Sequence, residues 1–189
     1  MINYLTHYYR TGSKPFLSLS SLEEEEALKI MVDLYEDNEM WGRFKNPEHY
    51  LNERRKTESW LKKAFMAKGG RPKQDYPIYT VLGISEKIEE KMEAEKIEKI
   101  EIPLSLFTEE EVSFTFLDSM YTVALDEQKP EEYYQAQYHG KLFTLTEINA
   151  ILNKKGLPDK DWWGNVPEDF LPYIEGQVWN QDKLLTFII

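Results

Sequence analysis

The 189-residue sequence predicts a single α+β domain in which a helical N-terminal part packs on a mostly antiparallel sheet formed by the later part. Two segments with helical apolar spacing lie in the first third of the chain, and short alternating or β-branched segments follow them. No linker or internal repeat divides the chain. We therefore treat residues 1–189 as one domain, with a helical subregion at residues 1–75.

The first predicted helix covers Leu22 to Asp37. Ser21 and Glu24 have the spacing of a capping box, which satisfies free N–H groups at a helix start. The apolar residues of this segment recur every three or four positions, as on one face of a helix: Leu28, Met31, Val32 and Tyr35.

The second predicted helix is longer, beginning after Asn46 as N-cap with Pro47 at the first helical position and ending at Gly69-Gly70. One side of it is largely apolar: Tyr50, Leu51, Thr57, Trp60, Leu61, Ala64 and Phe65. Arg54 lies on the same side. Its guanidinium either extends to the edge of the buried region or meets a carboxylate or ligand there.

The later part of the chain predicts mainly strands. The predicted strands are Ile78–Leu82, Ile100–Ile102, a hairpin of Val112–Phe116 with Tyr121–Leu125, a pair made by Tyr133–Tyr138 and Leu142–Phe143, and Leu184–Ile189. A charged helix is predicted from Ser85 to Glu95 and a short one from Pro167. Thr144 and Glu147 form a capping box before a helix that stops at Gly156.

Charge is distributed unevenly. Residues 43–73, which we call the basic block, hold ten Lys or Arg and only three Glu, whereas the whole chain has a net charge of -11. Such a block favours an acidic partner or a small anionic ligand. The acidic remainder disfavours extended nucleic acid. Residues 1–80 hold 13 basic and 12 acidic residues, and residues 81–189 hold 10 basic and 22 acidic residues. The first part of one copy could therefore attract the second part of another, so self-association into a homo-oligomer is an alternative.

Several protein classes receive no support. No apolar run approaches the roughly 18 residues of a membrane-spanning helix, and Met1–Arg10 is too polar and aromatic for a secretory signal. We therefore expect a cytoplasmic protein without membrane contact. The chain has no cysteine and three histidines, so no metal site is predicted and the cofactor stays open. Phosphate-loop, dinucleotide, zinc-protease and serine-hydrolase motifs are absent.

One candidate ligand site lies near the N-terminus. His7 can act as an acid or base, Tyr8 and Tyr9 can stack on a flat ligand, and Arg10 can bind an anion. The alternative is that these side chains only pack. At the end of the basic block, Arg71 can neutralise a phosphate beside Gly69-Gly70, or it is a solvated charge at a helix end.

Three further residues are candidates for catalysis: Asp118, His139 and Glu175. Asp118 and His139 lie at predicted turns, where a polar side chain either points into a cleft or bonds its own backbone. Glu175 begins a polar segment in which Gln177 and Trp179 are candidates for binding a flat polar ligand. If the protein is an enzyme, we expect His7 with Glu175, or His139 with Asp118, to share a pocket.

Three segments, Leu5–Arg10, Val112–Met120 and Tyr138–Leu145, resemble stretches of a family of uncharacterised bacterial proteins. The resemblance implies a bacterial intracellular protein of unknown function and assigns no activity or residue role. Two hypotheses follow from the residues. The first is a binding or regulatory module for an acidic partner or small anionic ligand, and the alternative is a transferase or hydrolase acting on a nucleotide-like substrate.

Overall fold

The computed structural model describes residues 2–37, 39–94, 96–158 and 172–188. Within them, six strands form one sheet in the order β3-β1-β2-β6-β4-β5, and all paired strands are antiparallel. The strands are β1 Tyr4–Arg10, β2 Ile78–Leu82, β3 Ile97–Pro103, β4 Val112–Phe116, β5 Leu142–Phe143 and β6 Ile174–Val178. The predicted α+β class is confirmed, although β1 adds an early segment to the sheet.

Five α-helices accompany this sheet in the described residues: α1 Glu24–Asp37, α2 Pro47–Ala67, α3 Glu86–Glu89, α4 Ser119–Gln128 and α5 Leu145–Lys155. Short 3-10 helices cover Leu19–Ser21, Glu39–Lys45, Leu104–Leu106 and Gln181–Phe187. No helix in the described ranges has the length and apolar character needed to cross a membrane.

The two strongest cap predictions are confirmed. The Asn46 side chain accepts the N–H of His49 at 3.2 Å, α2 starts at Pro47, and Gly69 follows its end with a φ of +92°. At α5, Thr144 and Glu147 form the reciprocal capping box. Each cap depends only on a few neighbouring residues, so it can be predicted from the sequence without knowledge of the rest of the fold.

Helix α1 differs from its prediction. It begins at Glu24, because the Ser21 hydroxyl donates to the carbonyl of Ser18 in the preceding 3-10 turn. Ala27 and Met31 are buried, whereas Val32 and Tyr35 are each 40% exposed. The apolar face is therefore rotated from the predicted one.

The predicted hairpin after β4 is wrong. Leu117 turns the chain with a φ of +67°, and the Asp118 side chain accepts the N–H of Tyr121 at 2.7 Å as the N-cap of α4. Thr122 and Leu125, three residues apart, then face the interior of the protein. The capped helix prevails over the β propensity of this segment, and β4 pairs with β5 and β6 instead.

Other predictions are wrong at element level. Residues 133–138 lie in turns and irregular chain, and Leu142–Phe143 pairs with β4. The predicted helix from Ser85 is limited to α3, and the predicted final strand lies in a 3-10 helix, Gln181–Phe187. Strands β1 and β6 were not predicted as strands. The predicted helix at Pro167 lies outside the described residues.

The sheet has two unlike faces because side chains alternate along each strand. One face, which we call the core face, carries the main apolar core, including Leu5, Ile78, Ile102, Phe114 and Ile174. The other, the helix-covered face, lies under α2. There Leu61 and Phe65 pack against Leu142 and Trp179.

Candidate functional site

Buried and half-buried polar side chains form a row on the helix-covered face, on three neighbouring strands. The row, which we call the polar layer, consists of Tyr79 on β2, Ser113 and Thr115 on β4, and Glu175 and Gln177 on β6. Gln177 lies opposite both Tyr79 and Ser113, and Glu175 lies opposite Thr115. Since water is excluded by α2, these groups need hydrogen-bond partners within the protein.

A chain of hydrogen bonds connects the polar layer. The Trp179 indole N–H donates to the Ser113 hydroxyl, which donates to the Gln177 amide oxygen, both at 2.9 Å. The Gln177 amide nitrogen donates to Glu175 at 2.9 Å and to Thr115 at 3.0 Å. The polar groups of Gln177 and Trp179, which were predicted to bind a ligand, therefore join β6 and the residue after it to β4.

Helix α2 adds a buried ion pair above Tyr79. Glu58, which is fully buried, accepts from the Arg54 Nε and from the Tyr79 hydroxyl, each at 3.1 Å. The Arg54 guanidinium lies 4.5 Å from the centre of the Tyr79 ring and donates to the Tyr50 hydroxyl. Of the two alternatives for Arg54, meeting a carboxylate is therefore confirmed.

Sequence reasoning missed Glu58. Glu58 lies four residues after Arg54 and seven after Leu51, which puts it on the apolar face of α2. A carboxylate on that face was the signal that could have identified a buried ion pair. In the part of the chain that the structure describes, its second carboxylate oxygen, Oε2, is buried and has no hydrogen-bond partner.

Two of the predicted catalytic residues meet at the end of the polar layer. Glu175 accepts the backbone N–H of Ser119 at 3.1 Å, next to Asp118 at the start of α4. Burial raises the pKa of Glu175 to about 8, and the charge of Asp118 raises it further. Burial also raises the pKa of Asp118. We call these two residues the carboxyl pair. At neutral pH the pair retains a proton, because two close carboxylates resist ionising together.

A shallow groove of about 710 Å³ opens beside the carboxyl pair. Its lining comes from the 3-10 helix before α2, the first turns of α2 and the start of α4, and includes Arg43, Lys45, Asn46, His49, Tyr50 and Met120. Glu48 and Glu53 line it as well. The positive charge of Arg43 counteracts the rise in the pKa of Asp118, which places the groove and the carboxyl pair within electrostatic reach of each other.

His7 lies apart from this site. Its side chain is on the core face, opposite to the face of Glu175, so the predicted pairing of these two residues is wrong. Its Nε2 accepts the N–H of Phe16 and its Nδ1 donates to the Tyr79 carbonyl, both at 2.9 Å. Burial lowers the pKa of His7. The ring is therefore a neutral bridge between three segments of chain.

The predicted pairing of His139 with Asp118 is also wrong. The His139 ring lies beside Tyr134, which donates to Asp126. Its pKa is lowered to about 4 by burial, although the charge of Asp126 acts in the opposite direction. Asp126 is two turns of α4 beyond Asp118, roughly 12 Å along the helix. The His139 Nδ1 accepts the N–H of Gln135 at 3.1 Å.

The remaining predicted ligand-binding residues do not converge. The hydroxyls of Tyr8 and Tyr9 donate to Glu89 and Glu98, both at 2.7 Å. Arg10 ends β1. Arg71 pairs with Glu110 at 3.4 Å, beyond the opposite end of α2 from the groove.

No family model, curated protein or solved structure matches this chain. The resemblance to uncharacterised bacterial proteins stays a prediction. Among the described residues, no three His, Asp or Glu side chains are grouped to hold a metal ion.

Proposed function

We propose that this protein is a binding or regulatory module that takes a small anionic ligand, carrying a phosphate or carboxylate, in the groove at the start of α2. The observation that carries the proposal is the convergence of Arg43, Lys45 and His49 on one groove. The positive end of the α2 dipole adds to the attraction for an anion there.

Several other cations of the basic block form ion pairs with carboxylates. Arg54 pairs with buried Glu58, and other cations of the block pair with carboxylates: Arg55 with Glu24, Lys56 with Glu53, Lys62 with Asp75, Lys68 with Glu147, and Arg71 with Glu110. Lys45, which is exposed and lines the groove, has no such carboxylate pair among the described residues, and this supports the groove as the place where the block meets an anion.

The dimensions favour a small ligand over an acidic protein partner. The groove volume of about 710 Å³ falls within the range typical of small-molecule sites, roughly 300–1,000 Å³. Glu48 and Glu53 restrict the positive region to the part near Arg43 and Lys45. A long acidic segment would have to pass these carboxylates, whereas a single phosphate would not.

Binding is tested by thermal unfolding with inorganic phosphate, nucleotides, dinucleotides and sugar phosphates. A ligand at one hundred times its Kd stabilises the folded state by about 2.7 kcal/mol. We expect Lys45→Gln to weaken binding and added salt to reduce it further. The matched control is Lys63→Gln, an equal charge change on exposed α2 surface outside the groove. An equal loss in both variants, or no stabilisation by any probe, would overturn the proposal.

The carboxyl pair favours a second candidate, a transferase or hydrolase acting on a nucleotide-like substrate in the same groove. Two carboxyl groups, one protonated and one ionised, can serve as general acid and general base. Asp118 is half-buried and lies two residues before Met120 of the groove lining, whereas Glu175 is buried, so Asp118 is the carboxyl group nearer to a substrate in the groove. For this candidate, Asp118→Asn must abolish turnover of a bound ligand while its Kd changes little. Absence of turnover with every ligand that binds would refute it.

A further inference from the structure

Strand β3 forms an outer edge of the sheet in the part of the chain that the structure describes. In the described part of the chain, β3 pairs with β1 alone and so forms one edge of the sheet. Glu98, Lys99 and Glu101 on this strand are exposed. An unpaired strand edge presents a row of free N–H and C=O groups to any other strand.

The hydrogen bonds between the residues that flank β1 and β3 identify which backbone groups of β3 point away from the sheet. The Lys96 carbonyl accepts from Thr11, and the Leu104 N–H donates to Asn3, so the even-numbered residues bond towards β1. Backbone groups alternate in direction along a strand of an antiparallel pair. Lys99 and Glu101 therefore direct their N–H and C=O groups away from the sheet.

The segment of β3 that can pair with another strand is limited at both ends. The N–H of Ile97 already donates to the carbonyl of Met92 at 2.8 Å. Pro103 has no N–H to give. Pairing with another strand is therefore confined to the segment around Lys99 and Glu101.

We propose that β3 pairs with β3 of a second copy of this chain, antiparallel and centred on Ile100. In this register Lys99 of each copy lies directly opposite Glu101 of the other, and the two residues exchange both backbone hydrogen bonds. Lys99 already pairs with Glu89 of its own chain, with its Nζ 3.0 Å from both carboxylate oxygens, and in this register it also faces Glu101 of the other copy. Opposite charges in directly opposed positions stabilise a strand pair. Shifting the centre to Lys99 or to Glu101 places like charges opposite each other, so the charges select one register.

The same register brings the two Ile100 side chains together on the core face. Ile100 is half-buried and packs against the main core, so the contact extends an apolar region across both copies. The product is a two-fold symmetric dimer with a continuous sheet, held by four new backbone hydrogen bonds. Such a small contact gives a weak dimer that depends on protein concentration.

Charge-reversal variants test this interface by sedimentation velocity over a range of concentrations. Lys99→Glu or Glu101→Lys alone places like charges opposite each other, and we expect at least a tenfold weaker dimer. An equimolar mixture of the two variants restores both opposite-charge pairs and should dimerise again. Glu98→Lys, an equal charge change opposite the uncharged Ile102, is the control. Melting temperatures confirm that each variant is folded.

A cross-link tests the register in an otherwise native chain. The protein has no cysteine, so Ile100→Cys introduces a single thiol. Opposed residues in a non-hydrogen-bonded pair have Cα atoms about 4.5 Å apart, within the range that a disulfide spans. Oxidation should give a covalent dimer with Ile100→Cys and none with Glu98→Cys, whose copies lie roughly 13 Å apart. A monomer at every concentration, or a failure of the mixed variants to associate, would overturn the proposal.

Discussion

The Phe65 ring lies against the Trp179 indole, with ring centroids 5.6 Å apart and an angle of 17° between the planes. Both side chains are fully buried. The contact joins the last turns of α2 to the residue that follows β6, and the same indole anchors the hydrogen-bond chain of the polar layer. Apolar and polar contacts at one residue therefore hold α2 on the sheet.

We expect Phe65→Ala to lower the free energy of unfolding by about 3–5 kcal/mol and Leu61→Ala by about 2–5 kcal/mol, because each leaves a cavity under α2. Urea unfolding measures both. Met66→Ala, at a side chain that is 56% exposed, should change stability by less than about 0.5 kcal/mol. Equal urea midpoints for Phe65→Ala and Met66→Ala would contradict the packing.

Arg54→Leu should destabilise the protein by about 3–5 kcal/mol, because it leaves the buried Glu58 carboxylate without its charged partner. Replacing both residues with Leu removes the uncompensated charge and should recover part of this loss. The control is Lys56→Gln, which breaks an exposed pair with Glu53 and should cost less than about 1 kcal/mol. Chemical denaturation that finds the Arg54 and Lys56 variants equally stable would refute the role of the buried pair.

Stability should fall as the pH rises from about 7.2 to 8. The pKa of Glu175 is raised to about 8 in the folded protein, so the folded state binds more protons than the unfolded chain in this window. Each such group contributes a slope of at most about 1.4 kcal/mol per pH unit. Burial lowers the pKa of His7 and His139, so below about pH 7 the unfolded chain binds protons on these residues that the folded protein does not, and this opposes the slope at lower pH.

Glu175→Gln should flatten this slope, because the amide oxygen can still accept the N–H of Ser119 but carries no titrating proton. Urea unfolding at about pH 7.2, 7.6 and 8.0 measures the effect. Glu127→Gln, at an exposed carboxyl group on α4, should keep the slope of the unmodified protein. A slope that survives in Glu175→Gln would show that the carboxyl pair does not retain its proton.

Gly176→Ala should destabilise the centre of the sheet by about 1–3 kcal/mol. A Cβ at this position would lie 2.6 Å from the Thr80 Oγ1 and 3.2 Å from a methyl carbon of Leu5. Gly42→Ala is the control, since a Cβ there meets no atom within 4 Å. Melting temperatures compare the two variants. An unchanged melting temperature for Gly176→Ala would mean that β2 and β6 are more loosely packed than described.

The sequence predicted the elements whose signals are local. Asn46 with Pro47, and Thr144 with Glu147, define helix starts through contacts within four residues. Strand β6 escaped prediction because its polar residues resembled a ligand-binding segment. The partners that satisfy them lie on β4 and α4, some 60 residues away, as in the bond from Ser113 to Gln177.

The candidate site was likewise predicted only where the signal lay in single residues. Asp118 and Glu175 were recognised as reactive residue types, but their meeting depends on the order of β4 and β6 in the sheet. His7 and His139 were predicted to be catalytic because free histidine titrates near neutral pH, but burial lowers the pKa of both. Residue type predicts which groups can titrate, whereas topology decides which of them meet.

The unlike faces of the sheet also limit how the chain can misfold. A one-residue slip of β6 against its neighbours would turn Glu175 and Gln177 into the hydrocarbon of the core face and bring Val178 beneath α2. Each polar group stranded in this way costs about 1–3 kcal/mol, and the penalty accumulates along the strand. The polar layer therefore discriminates against shifted strand alignments that an entirely apolar sheet interior would tolerate.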